Sequence, residues 1–437
     1  QESTESSSST ESFKISSCSN SLCKARRLSA FSGSLQPAST RFPERSNCLV
    51  SSRPIPLFDP VMKIVFIMRL KPKEEVLSRG SGCLFHDSLL TRIGFRVCYP
   101  LVFYFMKLNK LGNSDLLLSQ IGMGTWAIGG GDWGMGWGDQ DEKESIQAII
   151  EALEQGINWI DTAHAYGFGV SEEAVGKALR EWKVDEIIVA TKCGVLPQED
   201  GKPRRFISPA TIREEVDGSL RRLGRDRIDL YQIHWPDPLE NLAESWETLQ
   251  ELRKEGKIRW AGVCNCWKEE LDLLDSVEAV TSNQPMYSML AREIESEVLP
   301  LCAQRGTGLL VYSPMHSGLL TGKVSREWLD ELPDNDWRKH KKDHPVVSPL
   351  QSEEGMNAFL NFQDGLRSIA LENDRTIGQL AVAWALRREE VTSAIVGARR
   401  PGQITETVRA AEKQMTPEEE DAVAKCLEKF EERIKSA

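Results

Sequence analysis

From Lys107 onward the chain alternates between short apolar runs and longer amphipathic stretches. Eight runs are rich in Ile, Val and Leu: residues 119–128, 157–162, 186–192, 228–234, 258–265, 279–284, 308–313 and 393–397. Such short, Val- and Ile-rich runs are the pattern of parallel strands buried on both faces. The stretches between them carry a helical period. Ile146, Ile149, Ile150 and Leu153 stand at i, i+3, i+4 and i+7, and Leu242, Trp246, Leu249 and Leu252 form a second stripe. Ser171, followed by Glu172 and Glu173, predicts an N-cap with acidic residues in the first turn. Eight strands alternating with helices over about 330 residues predict an α/β fold of the (β/α)8, or TIM, barrel type. An open doubly wound sheet is the alternative.

Composition divides the chain in two. Residues 1–105 open on a Ser/Thr/Glu-rich tract and show neither period; they carry 14 Lys+Arg against 8 Asp+Glu. The remainder carries 40 against 57. This shift predicts an irregular N-terminal extension over 1–105, disordered or foreign to the native product, and one barrel domain over 106–437. A transit peptide is the other reading of the Ser- and Arg-containing start, and would direct the protein to an organelle. Otherwise the ten cysteines, too sparse for a disulfide framework, predict reduced thiols and a cytoplasmic location. The net charge of −11 argues against nucleic acid and anionic lipid as partners. No apolar run reaches the roughly 18 residues of a membrane span.

The chemistry gathers at the strand ends. The second run ends in Asp161, the third in Lys192, the fourth in His234, the fifth in Asn265, the sixth in Gln284 and the seventh in Ser313. In a parallel barrel these ends share one face, which is the face that carries active sites. Tyr166 follows Asp161 by five positions. A phenol titrates near pH 10 unperturbed, and an adjacent ammonium lowers that value. Tyr166 beside Lys192, with Asp161 keeping the lysine charged, would therefore make a general acid for a carbonyl oxygen.

Asp161, Tyr166, Lys192 and His234, in this order and spacing, resemble the catalytic tetrad of the aldo-keto reductase family. The resemblance runs from Met106 to about Lys413. It implies a (β/α)8 barrel that binds NADPH over the strand ends without a Rossmann domain. It also implies that Asn265 and Gln284 hold the nicotinamide carboxamide and that Tyr287 stacks on its ring. The segment from Tyr312 to Lys323 resembles the family's pyrophosphate loop, with Ser313, Pro314, Gly318, Leu319, Gly322 and Lys323 as contacts. Gly397, Arg399 and Gln403 match the loop for the 2′-phosphate and adenine, and a guanidinium suits a phosphate. Cys264 stands where the family usually has Ser.

The activity so implied is NADPH-dependent, reversible reduction of a small aldehyde or ketone. The alternative is a cofactor-binding regulatory subunit like the channel-associated β members of the family. Trp126, Trp133, Trp137 and Trp235 border the expected site and are candidates for the substrate pocket. The GxGxxG-like segment from Gly129 to Gly134 reads as a loop over the first strand. His340 and His344, four apart without a third ligand, read as solvated surface, so no metal is expected. Residues 324–352 form a charged insertion with the length of a lid or mobile loop.

Overall fold

The computed structural model describes residues 106–436 apart from Asp132, Val184 and Asp185. The expected N-terminal extension, 1–105, lies outside the described residues. The chain enters through a hairpin, β1 (Leu108–Lys110) and β2 (Leu117–Ser119). Eight strands then close a parallel barrel: β3 (Ile121–Gly124), β4 (Trp159–Asp161), β5 (Ile188–Cys193), β8 (Ile228–Ile233), β9 (Ile258–Cys264), β10 (Ser282–Gln284), β11 (Gly308–Tyr312) and β12 (Val391–Gly397). Between β5 and β8 a small antiparallel hairpin, β6 (Val195–Pro197) and β7 (Pro203–Arg205), rises from the mouth side. The eight barrel strands fall on the eight expected runs.

The helices between strands bury the stripes read from the sequence: Ile146, Ile149, Leu153, Leu242, Trp246, Leu249 and Leu252 all lie in the core. Local capping fixes where several begin. Asp141 accepts from the Glu144 N–H, and Ser208 with Thr211, and Thr376 with Gln379, form capping boxes. Ser171 does not cap. The helix Val170–Trp182 starts at Gly169, in a left-handed conformation. Ser171 lies inside it, fully buried, its hydroxyl bonded to Thr125 and Thr162. Gly169 brings no side-chain acceptor to the cap position, and the Ser171 hydroxyl is spent on tertiary partners instead.

The opposite end of the barrel is closed by the first hairpin. Leu111, Leu116 and Leu118 pack with Trp159, Leu230 and Leu310. Gly112, at φ +49°, lets the turn approach the Thr281 carbonyl; a Cβ there would lie 2.2 Å from that oxygen. With one end plugged, the strand carboxyl ends are the open mouth.

Candidate active site

Four side chains meet at this mouth. Asp161 is the last residue of β4, Lys192 lies in β5, and His234 follows β8 directly. Lys192 Nζ donates to Asp161 Oδ2 at 2.6 Å, to the Thr162 carbonyl at 3.0 Å and to Tyr166 Oη at 3.0 Å. All three ammonium protons are thus directed, and the side chain is buried. Asp161 Oδ1 accepts from Gln284 Nε2 at 2.8 Å. The Tyr166 and His234 rings meet edge to face at 5.7 Å.

Electrostatics fix the protonation states. Burial works to discharge Lys192, but the Asp161 carboxylate, with Tyr166 beside it, holds its pKa above the ordinary lysine value. Burial pushes the Tyr166 phenol up to about 12, against the pull of the Lys192 ammonium. The expected descent of the phenol toward neutrality therefore does not occur, because removing the ring from water outweighs one cation already paired to a carboxylate. Burial, aided by the Lys192 and Arg205 charges, holds His234 well below its ordinary 6.5. Near neutral pH the site is a protonated phenol between an ammonium and a neutral imidazole, an arrangement that can donate a proton to an oxygen.

Residues 120–428 match the Aldo/keto reductase family. The chain belongs to the aldo/keto reductase family. Among relatives, it is 40% identical over 301 residues to the aldo-keto reductase YhdN of Bacillus subtilis, covering 68% of this chain and 87% of that protein. It is 36% identical over 317 residues to the NADH-specific methylglyoxal reductase of Escherichia coli, covering 70% and 93% respectively. Among solved structures, the glycerol dehydrogenase AKR11B4 from Gluconobacter oxydans is 37% identical, with a TM-score of 0.65 over 74% of this chain and 95% of that one. This aldo/keto reductase is accordingly an oxidoreductase of a family that works on small carbonyl substrates with a nicotinamide cofactor.

The residues expected to meet the cofactor do not all lie at the mouth. Asn265, at φ +57°, donates from Nδ2 to the His234 carbonyl at 3.0 Å and accepts from the Tyr312 hydroxyl at 2.9 Å. Gln284 lies beside it on the neighbouring strand. Tyr287 is not at the mouth. Its ring is fully buried against Trp384, and its hydroxyl is engaged by Glu295 and Arg387. The strand-end aromatic is instead Tyr312, last residue of β11, partly exposed and bonded to Asn265. Tyr287 comes three residues after β10 ends, by which point the chain has turned into the core; Tyr312 was legible as the residue just before Ser313.

The loop after β11 fits an anionic group. Ser313, His316, Ser317, Gly318 and Gly322 all take positive φ, and such turns aim backbone N–H groups into a concavity. Pro314 and Leu319 are buried and serve as anchors, while Lys323 is exposed at the loop's end. His316 Nδ1 ties the loop to Ser288 Oγ at 2.8 Å. After β12, Gln403 Oε1 accepts from the Arg399 and Arg400 N–H groups at 2.7 and 3.1 Å. The Arg399 guanidinium reaches the first loop: it donates to Gln140 Oε1 and to the Trp137, Gly138 and Asp139 carbonyls. Gly397 precedes it, exposed.

The four tryptophans divide. Trp133 packs with Tyr166, Ala163, Ala165 and Val195, and Trp126 and Trp235 border the same cluster. Trp137 turns away to pack on Trp126 and Trp337, with the Arg338 guanidinium 4.2 Å over its ring. Trp337 and Arg338 come from the 324–352 insertion, whose charge concealed them. That insertion is stitched to the first loop: Trp337 N–H donates to the Gly136 carbonyl at 2.8 Å, and Asn335 donates to Asp139 at 2.7 Å. His344 meets Trp337 edge to face at 4.8 Å rather than standing free in solvent, and His340 bonds the Asp334 carbonyl.

Proposed function

We propose that this protein reduces aldehydes or ketones to alcohols with NADPH, Tyr166 being the proton donor. The observation that carries the reading is the chain Asp161–Lys192–Tyr166, closed at hydrogen-bond length and adjoining a neutral His234. A bound reduced nicotinamide supplies hydride to the carbonyl carbon. Tyr166 gives its proton to the carbonyl oxygen, and the Lys192 ammonium 3.0 Å away stabilises the phenolate charge left behind. Asp161 keeps that ammonium in place. His234, uncharged, orients the carbonyl by hydrogen bonding.

Asn265 and Gln284 are the residues that would hold the carboxamide, and Tyr312 takes the stacking position first read for Tyr287. The positive-φ loop from Ser313 to Gly322 would take the pyrophosphate. The phosphorylated cofactor is favoured because Arg399 and Arg400 stand close enough to repel, and a 2′-phosphate relieves that repulsion. The NADH-specific relative makes this the point to measure: KM for NADPH at least tenfold below KM for NADH supports it, and the reverse order overturns it. For the chemical step, Tyr166→Phe should abolish turnover of a simple aldehyde while NADPH fluorescence titration still reports binding. Undiminished turnover would reject Tyr166 as the acid.

A further inference from the structure

Beyond the reacting centre, the mouth carries positive charge that the tetrad does not use. The β6–β7 hairpin sets Arg205 opposite Val195 in register, and Val195 packs in the apolar cluster around Tyr166. From there the Arg205 guanidinium lies over the Trp235 ring, its carbon 3.5 Å from the centroid. Trp235 follows His234 in the chain, so the cation sits one residue from the imidazole that adjoins the phenol. Among the described residues the Arg205 guanidinium makes no hydrogen bond and no ion pair.

Lys341, on the insertion, comes close enough to feel Arg205 and Lys202, and its ammonium also lacks an ion pair among the described residues. Lys202 is matched by Asp200 at 2.8 Å. Lys192 is matched by Asp161 at 2.6 Å. Asp237 is the carboxylate whose field reaches Arg205, but it forms no ion pair with it. Among the described residues two cations without ion pairs, Arg205 and Lys341, therefore stand near each other, with Asp237 the one carboxylate whose field reaches Arg205, in a chain whose net charge is −11. Local positive charge against an acidic background concentrates anions at a mouth. The guanidinium's forked donors, placed over the indole, remain free for a carboxylate or phosphate.

We infer that this site selects carbonyl substrates bearing an anionic group, a carboxylate or a phosphate, which Arg205 binds over Trp235 with Lys341 adding charge. The inference rests on the reductase reading above and deepens it. In the reaction the carbonyl carbon gains hydride from the reduced nicotinamide and its oxygen gains the Tyr166 proton. The anionic group is held and does not react.

The test is steady-state kinetics of the full chain with matched pairs: 4-oxobutanoate against butanal for the carboxylate arm, glyceraldehyde 3-phosphate against glyceraldehyde for the phosphate arm. A charge-assisted bond is worth enough for about a tenfold preference in kcat/KM. At least one arm should show it, and the preference should shrink as salt is raised. In Arg205→Ala the preference should fall by about tenfold, and in Arg205→Glu it should invert. Circular dichroism keeps the variants comparable, and competitive inhibition of butanal reduction by succinate gives an independent reading in the native chain. Equal kcat/KM within both pairs, or a preference unchanged in Arg205→Glu, overturns the inference and makes Arg205 a cover for Trp235. No turnover of any of the four with either NADPH or NADH would defeat the reductase reading itself.

Discussion

Arg399 donates a hydrogen bond of 2.5 Å to the Trp137 carbonyl, 262 positions earlier in the chain. The same guanidinium binds Gly138, Asp139 and Gln140, and Gln140 returns a bond to the Arg399 carbonyl at 2.8 Å. One residue of the loop after β12 thus fastens residues 137–140 of the first loop beside the mouth. Arg399→Ala removes donors to four groups, each bond to a charged donor being worth about 1.5–3 kcal/mol in a protected setting. The expected outcome is faster amide hydrogen exchange over residues 137–140 and a KM for NADPH raised by about tenfold or more. Unchanged exchange would mean the first loop is held by the insertion alone.

The pH profile should be asymmetric with direction of reaction. With Tyr166 as the proposed proton donor, reduction needs a protonated phenol and an uncharged imidazole. With Tyr166 pushed up to about 12 and His234 well below 6.5, both conditions hold across the neutral range. Reductive kcat/KM should therefore be flat from about pH 6 to pH 9. Alcohol oxidation needs the phenolate and should rise with pH throughout. A reductive profile that falls with an apparent pKa near 7 would contradict the burial of Tyr166.

Lys192 and Asp161 form a buried ion pair. Removing one partner of such a pair costs about 3–5 kcal/mol, since the other charge is left in a poor solvent. Lys192→Met should lower the free energy of unfolding by that amount in urea denaturation, leaving Asp161 with Gln284 as its remaining side-chain partner. Adding Asp161→Asn should restore part of the stability but none of the activity. A fully stable single variant would mean that water reaches the pair.

Glu215 joins the two segments that carry the phenol and the ammonium. Its carboxylate accepts from the Gly194 N–H at 3.0 and 3.1 Å and meets His164 Nδ1 at 3.3 Å. Gly194 lies two residues after Lys192, and His164 two residues before Tyr166. Glu215→Leu orphans both and should cost about 1–3 kcal/mol of stability, with kcat reduced more than KM is raised. Glu215→Gln, which keeps an acceptor, should recover most of kcat. If it does not, the residue's charge matters and its placement does not.

The barrel was legible because its signal is periodic and local. Short apolar runs and 3.6-residue stripes recur along the chain, and burying them leaves few other layered solutions. That Asp161, Lys192 and His234 would share one mouth was legible for the same reason: they sit at ends of strands whose direction the fold class fixes. Three readings failed where a long-range neighbour decided. Ser171 looked like a cap but was drawn inward by Thr125 and Thr162. Tyr287 looked like the stacking aromatic but was claimed by Trp384 and Glu295. His344 looked like solvated surface but packs on Trp337, in an insertion that brings Trp337 and Arg338 to the tryptophan cluster.

By itself, then, the sequence determined the element order, the barrel and which strand ends bear reactive groups, because those depend on spacing along one chain. Tertiary structure alone decided which aromatic faces the mouth, how Arg399 fastens the first loop, and that burial outweighs the lysine in setting the Tyr166 proton. Each of these is a contest between a local preference and partners far away in the chain, and its outcome depends on distances and water exclusion that spacing does not encode.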